Sequence, residues 1–481
     1  MKCLVIGIDG ADKRVFDKFD MKHISEFINK NISLDLKEDV WSRGWAKILS
    51  GKTGMQTGAF YAKPRLDGTH LTTSSFSMSD YNKKGCEPIW KKLKEANYTS
   101  GFMNVPTTGP ATDVNGFMIA GAGGGSSNDG QSLVPHDACF PNKLSNHLND
   151  MNYKLDVRFS RLNEPNHEVF IQELIDMQEV QTKSFLSLVK EFSPDFGFIA
   201  LTPLVRAQNI YMKHINEIKK DKDYSDDSVE GLLKKLYLNF DECIYEILKN
   251  TSAENIIFTS DHGQSAMKYT SNINIWLKEN GYAQDKPKKM KSFGNSIKKI
   301  APSFIKRLVS KNTKSLKDYL SPVNTDWRKT DAFALRYIPG IYMNDSRFSG
   351  TKSKEHLDKL INKIIEEFNK SYLNYEYGMK AERYRSIYSY AEYQDLLPDI
   401  WIHHSEEIFP SASGKKSIQD NPNYKFIDNL KDVTHDMYAG SKGNRPFVVC
   451  SNSLKNQCDS LTETDLTAVY SLILSVFNLN N

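Results

Sequence analysis

The residues of this sequence best suited to chemistry are an aspartate and a histidine side by side in Ser260-Asp261-His262-Gly263. A carboxylate beside an imidazole suits a hard divalent cation or zinc, and the glycine that follows permits a tight turn. Asp261 directly follows Ile256-Ile257-Phe258-Thr259-Ser260, and Asp9 directly follows Val5-Ile6-Gly7-Ile8. Both stretches read as fully buried strands. An aspartate at such a strand end has two readings. Taken singly it caps a helix or forms a turn; at the carboxyl edge of a parallel sheet it joins other side chains over a common crevice. The shared placement predicts that Asp9, Asp261 and His262 converge on one cation.

Other short apolar runs suited to strands lie at residues 3–8, 99–103, 196–201, 255–259, 399–402 and 446–450. Longer segments with apolar residues at helical spacing lie at 168–192, 228–248, 356–368 and 463–477. This alternation predicts an α/β fold with a mostly parallel central sheet and helices on both faces. A Lys-rich stretch at about 284–322 stands apart and carries Ile297, Ile300, Phe304, Ile305, Leu308 and Val309 at roughly helical spacing. It reads as a helical insertion, either solvated on the body or, as a basic amphipathic helix, facing a membrane surface or an anionic partner.

The bulk properties narrow the field without choosing a function. The chain has 481 residues, 39% hydrophobic and 25% charged, enough to bury a large core and far from the composition of a disordered chain. A formal charge of +4 is too small to argue for a specific nucleic-acid partner. No run approaches the ~20 apolar residues needed to span a bilayer, so a protein not integral to a membrane is expected. The first apolar run is too short for a signal peptide. The six cysteines are scattered without C-x-x-C pairs, which predicts buried thiols and a cytoplasmic location.

A series of motifs then carries a resemblance. Ile6-Gly7-Ile8-Asp9-Gly10 and Thr259-Ser260-Asp261-His262-Gly263 are similar to the first and the late metal motifs of the alkaline phosphatase superfamily. Val105-Pro106-Thr107-Thr108-Gly109-Pro110, followed by Val114-Asn115-Gly116-Phe117-Met118, resembles a segment of its phosphohydrolase/phosphomutase-like type I phosphodiesterase and nucleotide pyrophosphatase branch. Further matches follow in order at Asn274-Ile275-Trp276-Leu277, Gly281-Tyr282, Asp326-Trp327-Arg328-Lys329-Thr330, Gly340-Ile341-Tyr342-Met343-Asn344, Pro398-Asp399 and Thr434-His435. Coverage of nearly the whole chain implies a single alkaline phosphatase-like domain over residues 1–481, interrupted by the Lys-rich insertion.

The resemblance implies two metal ions side by side. One would be held by Asp9, Asp261, His262 and a nucleophilic Ser or Thr near position 42; the other by an aspartate, a histidine four residues later and a final histidine, matched here by His435. The Asp-Arg-x-x-His motif of the second ion reads Val205-Arg206-Ala207-Gln208-Asn209. Valine has no donor atom and an amide oxygen is a poor substitute for imidazole, so one tight divalent ion is expected, zinc or else Mn or Mg, and a second should bind weakly or not at all. Val205 and Asn209 are then expected to lie beside His435.

The nucleophile position is equally irregular. Counting back from Ser50-Gly51 puts the expected Ser or Thr on Trp41, with Ser42 one residue later and Trp45 on a common family tryptophan. Either Ser42 reaches the metal or the chain lacks a covalent nucleophile; serine is also a normal helix N-cap. Two functions stay open. One is a metal-dependent phosphodiesterase or phosphatase acting through Ser42 or water on a small-molecule phosphate ester or a phosphorylated glycan or lipid head group, with Lys47, Lys52 or Arg206 replacing some lost charge. The other is a catalytically inactive relative that binds a phosphorylated ligand or protein partner. Nothing in the sequence indicates an oligomeric state.

Overall fold

Residue-by-residue alternation decides which way the central strands face. Within Cys3–Ile8, Leu4, Ile6 and Ile8 enter one apolar core while Cys3 and Val5 enter another. Successive side chains of a strand point to opposite faces, so a strand buried on both faces must lie between two layers. The computed structural model, which describes residues 1–82, 86–122, 133–159, 162, 166–287, 325–427 and 438–479, has that arrangement.

The sheet has eight strands in the order Ile32–Ser33, Val448–Cys450, Asn255–Thr259, Cys3–Ile8, Phe196–Leu201, Ser100–Val105, Gly116–Ala120 and Cys139–Phe140. Its middle, from Asn255–Thr259 to Gly116–Ala120, is parallel, and antiparallel strands flank it on both sides. The helices His167–Phe192, Pro203–Glu217 and Val229–Thr251 supply Leu174, Leu204 and Leu233 to the core on one face. On the other face Gly44–Ser50, Ile89–Glu95 and Thr467–Val476 supply Ile48, Leu93 and Ile473. The α/β expectation therefore holds, as do the strands at residues 3–8, 196–201 and 255–259 with their bounds unchanged.

The described chain divides into two compact units. The first, Met1–Tyr61, Ser75–Lys268 and Asn421–Asn481, contains the eight-stranded sheet. The second, Ala62–Ser74 and Tyr269–Asp420, is built on a four-stranded antiparallel sheet of Ala332–Ala334, Gly340–Met343, Ile400–His403 and Lys380–Arg383. Helix Lys354–Asn369 adds Leu357, Ile361, Ile364 and Phe368 to the core of that unit.

The run at 399–402 thus belongs to a different sheet from the other strand-like runs. Several residues that carried the resemblance do structural work in the second unit. Asn274 bonds both backbone groups of Ala334, and Asp399 accepts from Met343 N at 2.7 Å and from Arg347. The apolar positions of the expected insertion helix, Ile297 to Val309, lie outside the described residues. Among the described residues no helix is long and apolar enough to cross a membrane.

Candidate metal centre

Cys3–Ile8 and Asn255–Thr259 are parallel neighbours with Gly7 opposite Thr259. Carrying that register two residues further sets Asp9 level with Asp261, and adjacent strands are ~4.7–4.9 Å apart. Sheet pairing thus overcomes the long separation in sequence. Ligand atoms of Asp9, Asp261 and His262 all lie within 4.8 Å of one another. On its other side Asp9 N donates to Leu201 O at 3.0 Å, which ties the site to the strand leading into helix Pro203–Glu217.

The chemistry of these groups calls for a cation. His262 Nδ1 lies 2.6 Å from Gly263 O, and a carbonyl can only accept, so Nδ1 carries the proton and Nε2 a lone pair. That lone pair faces Asp9 Oδ1 at 3.7 Å and Asp261 Oδ2 at 3.5 Å. Asp261 Oδ1 is buried with no hydrogen-bond partner among the described residues. Acceptors therefore point at acceptors in a nearly dry place, an arrangement that costs free energy unless a proton or metal ion sits among them.

Protonation responds accordingly. Burial first, then the Asp261 charge, raises the Asp9 carboxyl above its usual range, and burial likewise raises Asp261. Burial, followed by the nearby Lys442 charge, pushes His262 down to about 3 and keeps the imidazole neutral, as a metal ligand requires. The donor set fits a divalent cation.

Two glycines permit the close approach of the wall. A Cβ on Gly44 would come within 2.0 Å of Asp261 O, so only glycine lets helix Gly44–Ser50 begin against the ligand backbone. A Cβ on Gly7 would meet the Trp45 ring at 2.7 Å. The Trp45 ring can thus pack against Gly7, its Nε1 at a long 3.5 Å from Asp9 Oδ2. Tyr61 donates its hydroxyl to Asp261 Oδ2 at 2.7 Å.

Ser42 belongs to a different network. Its Oγ donates to Asp39 Oδ2 at 2.7 Å and its backbone N to Asp39 Oδ1 at 2.6 Å. Every hydrogen bond found for it thus leads to Asp39 rather than to the three candidate ligands. Trp41 is core, stacked on Phe60 with ring centroids 3.9 Å apart. Lys47 is not an available cation, because Glu38, Asp465 and Asp39 surround its ammonium at 2.8, 3.2 and 3.6 Å. Arg206 pairs with Asp156 at 2.8 Å.

At the expected second-metal position Val205 sets a methyl group against Gly10, the neighbour of Asp9. Asn209 accepts on its backbone oxygen from Ala439 N at 2.8 Å. His435 lies outside the described residues. His214, five residues past Asn209, has both ring nitrogens engaged, with Glu230 at 2.9 Å and with Ile427 N at 2.9 Å, and is a packing histidine.

Sequence reasoning missed Tyr61 and Lys442. Lys442 lies in strand Gly440–Gly443, partly buried, with its ammonium 3.4 Å from the centre of the Tyr61 ring. Burial outweighs the nearby Asp261 and Asp9 charges and lowers its pKa to about 8. The one available signal was a lysine flanked by small residues just ahead of the strand-like run at 446–450; for Tyr61 there was none.

The model of the family "Type I phosphodiesterase / nucleotide pyrophosphatase" matches residues 3–424. No curated protein sequence matches the chain. Among solved structures, phosphonoacetate hydrolase from Sinorhizobium meliloti 1021 in complex with phosphonoformate is similar at a TM-score of 0.52 and 12% identity, covering 98% of this chain and 95% of that one. Its complex with phosphonoacetate gives the same values. An inactive murine ectonucleotide pyrophosphatase / phosphodiesterase 5 in complex with AMP is similar at a TM-score of 0.49 and 12% identity, over 100% of this chain and 96% of that one.

Proposed function

The chain belongs to the type I phosphodiesterase / nucleotide pyrophosphatase family, and from that premise we propose that it hydrolyses phosphoric esters at a centre formed by Asp9, Asp261 and His262. One observation carries the reading: acceptors on three side chains, two buried and Asp9 half-buried, face one another within 4.8 Å. A divalent cation held there, zinc before Mn or Mg, supplies Lewis acidity toward a phosphoryl oxygen and toward the nucleophile. Val205 and Asn209 support a single tight ion.

The commitment of Ser42 to Asp39 supports water as the nucleophile. Water oxygen attacks phosphorus, the phosphorus–oxygen ester bond breaks, one proton leaves the water and one is taken up by the departing alcohol oxygen. Asp9 and Asp261 would offer carboxylate oxygens to that proton, and Trp45 Nε1 at 3.5 Å and the Tyr61 hydroxyl at 2.7 Å orient them. The phosphonates bound in the similar phosphonoacetate hydrolase structures favour a small phosphoryl-bearing substrate such as a phosphate ester, with phosphorylated glycan or lipid head groups in the same chemical class. The free, buried cysteines support a reducing compartment such as the cytoplasm.

The test is elemental analysis of purified protein with hydrolysis of aryl phosphate mono- and diesters. One ion per chain and cleavage of either ester class is the expected result. A bound ion with cleavage of neither class would overturn the enzyme reading in favour of a binding protein, and absence of any ion would overturn the metal centre.

A further inference from the structure

We infer that the Lys442 ammonium binds the substrate's phosphoryl oxygens, filling the electrostatic part of a second metal ion. The inference rests on the proposed phosphoester hydrolase reading and goes beyond it by naming the group that contacts the anion.

Three placements carry it. Strand Gly440–Gly443 runs antiparallel to Gly263–Ala266 with Lys442 opposite Gln264. Directly opposite residues of such a pair project from the same face with Cβ atoms ~4.5–5.5 Å apart. Gln264 reaches Gly10, its Oε1 3.3 Å from where a Gly10 Cβ would stand, so that face is turned toward the loop after Asp9. The strand is also anchored beside the altered second-metal motif, since Ala439 N bonds Asn209 O at 2.8 Å. Finally, the ammonium rests 3.4 Å from the centre of the Tyr61 ring, whose hydroxyl holds Asp261.

An ammonium on a flexible four-carbon stem is a point-charge phosphate ligand that needs no fixed coordination geometry. It also explains how Val205 and Asn209 are tolerated. A phosphoryl group between one divalent ion and Lys442 still meets positive charge on two sides, which is what stabilises its transition state. Of the other cations near the site, Lys47 is committed to three carboxylates and Arg206 to Asp156, while Arg43, on the same Tyr61 ring at 5.1 Å, donates its Nε to Phe60 O at 3.0 Å.

Gln208 Oε1 and both amide atoms of Gln264 are buried without hydrogen-bond partners among the described residues. Of these atoms Gln264 Nε2 can donate to water or to a phosphoryl oxygen, while the two amide oxygens can only accept, from water or from a protonated oxygen.

The experiment titrates inorganic phosphate into zinc-loaded full-length protein by calorimetry, with elemental analysis and thermal unfolding of every variant. Lys442→Gln should weaken phosphate binding at least tenfold while zinc stays at one ion per chain, and Lys442→Arg, which keeps the charge, should recover most of the affinity. Phosphate affinity unchanged in Lys442→Gln, with folding intact, overturns the inference. Zinc rising to two ions in Lys442→Gln overturns it as well, because the lysine would then only block a metal position. Should Lys442→Gln unfold, the Lys442→Arg arm decides: a tenfold loss there overturns a charge role. Wild-type protein without zinc would instead defeat the metal centre itself, so the two failures read differently.

Discussion

Two polar clusters flank helix Gly44–Ser50, and they are satisfied to very different degrees. On one side Glu38, Asp39, Ser42, Lys47 and Asp465 form a closed network. Glu38 accepts from Lys47 and from Leu466 N, Asp39 from Trp41 N and from Ser42, and Asp465 from Lys47 and Thr467. On the other side Asp9, Asp261 and His262 present acceptors to one another, with Asp261 Oδ1 unanswered. Complete satisfaction holds a fold together. Concentrated dissatisfaction costs free energy that a bound ion would remove, so this contrast is what the proposed metal centre rests on.

The sharpest way to break that contrast is to delete a member of the unsatisfied cluster. Asp261→Ala should remove the bound metal and lower ester hydrolysis on the order of 1,000-fold, because charge stabilisation in the transition state goes with the ion. Elemental analysis and steady-state kinetics check it. Retention of one ion per chain with activity intact would place the centre elsewhere.

The next largest effect belongs to the satisfied cluster. Lys47→Met leaves Glu38 buried without its ammonium, and removing one partner of a buried pair costs about 3–5 kcal/mol. Burial already raises Glu38 to about 7, followed by the opposing pull of Lys47, so the carboxyl should turn neutral in the variant. Denaturant unfolding should show the loss, while protein that remains folded keeps its metal. Lost metal with little lost stability would invert the assignment of the two clusters.

Ser42→Ala sharpens the boundary between them. As a member of the Asp39 network the hydroxyl is worth about 1 kcal/mol of stability. Hydrolysis should fall less than about tenfold, under 1.4 kcal/mol of barrier. Abolished hydrolysis in a folded, metal-loaded variant would make Ser42 the nucleophile and reverse the proposal for water.

These comparisons also show what can be read from sequence. Asp9, Asp261 and His262 were legible because a carboxylate at the end of a strand-like run is a local pattern, and a parallel sheet turns it into proximity. The strands at 3–8, 196–201 and 255–259 were legible for the same reason. The Asp39 partner of Ser42 was not legible, because no spacing rule distinguishes a hydroxyl tied to a carboxylate three residues back from one turned to a crevice. Lys442 was illegible because its position depends on antiparallel pairing with Gly263–Ala266, and Gly440-Ser441-Lys442-Gly443 has no strand-like composition of its own. The run at 399–402 was legible as a strand but not as part of a second sheet, since a short apolar run carries no address.

The smallest effect is read through pH. In metal-free protein Asp9 is raised, first by burial and then by the Asp261 charge, so between the unfolded value of about 3.9 and that raised value the folded state binds more protons than the unfolded state. Stability from this group therefore falls as pH rises through the window. Asp9→Asn removes the charge, and in metal-free protein it should stabilise by on the order of 1 kcal/mol near pH 8, with the advantage shrinking as acid protonates Asp9 in the wild type. His262 works in the opposite sense: it is lowered to about 3, so the unfolded chain takes up protons first as pH falls below about 6.5. That contribution occurs in both proteins and largely cancels in their difference. With saturating zinc the sign should reverse, because the variant gives up a ligand and with it the stabilisation that binding to the native state supplies. Thermal unfolding of both proteins, with and without zinc, from pH 5 to 8 reads all four cases. The same sign in both metal states, or an advantage that grows as pH falls, would mean that Asp9 is not held against its own charge and that the contrast between the clusters is false.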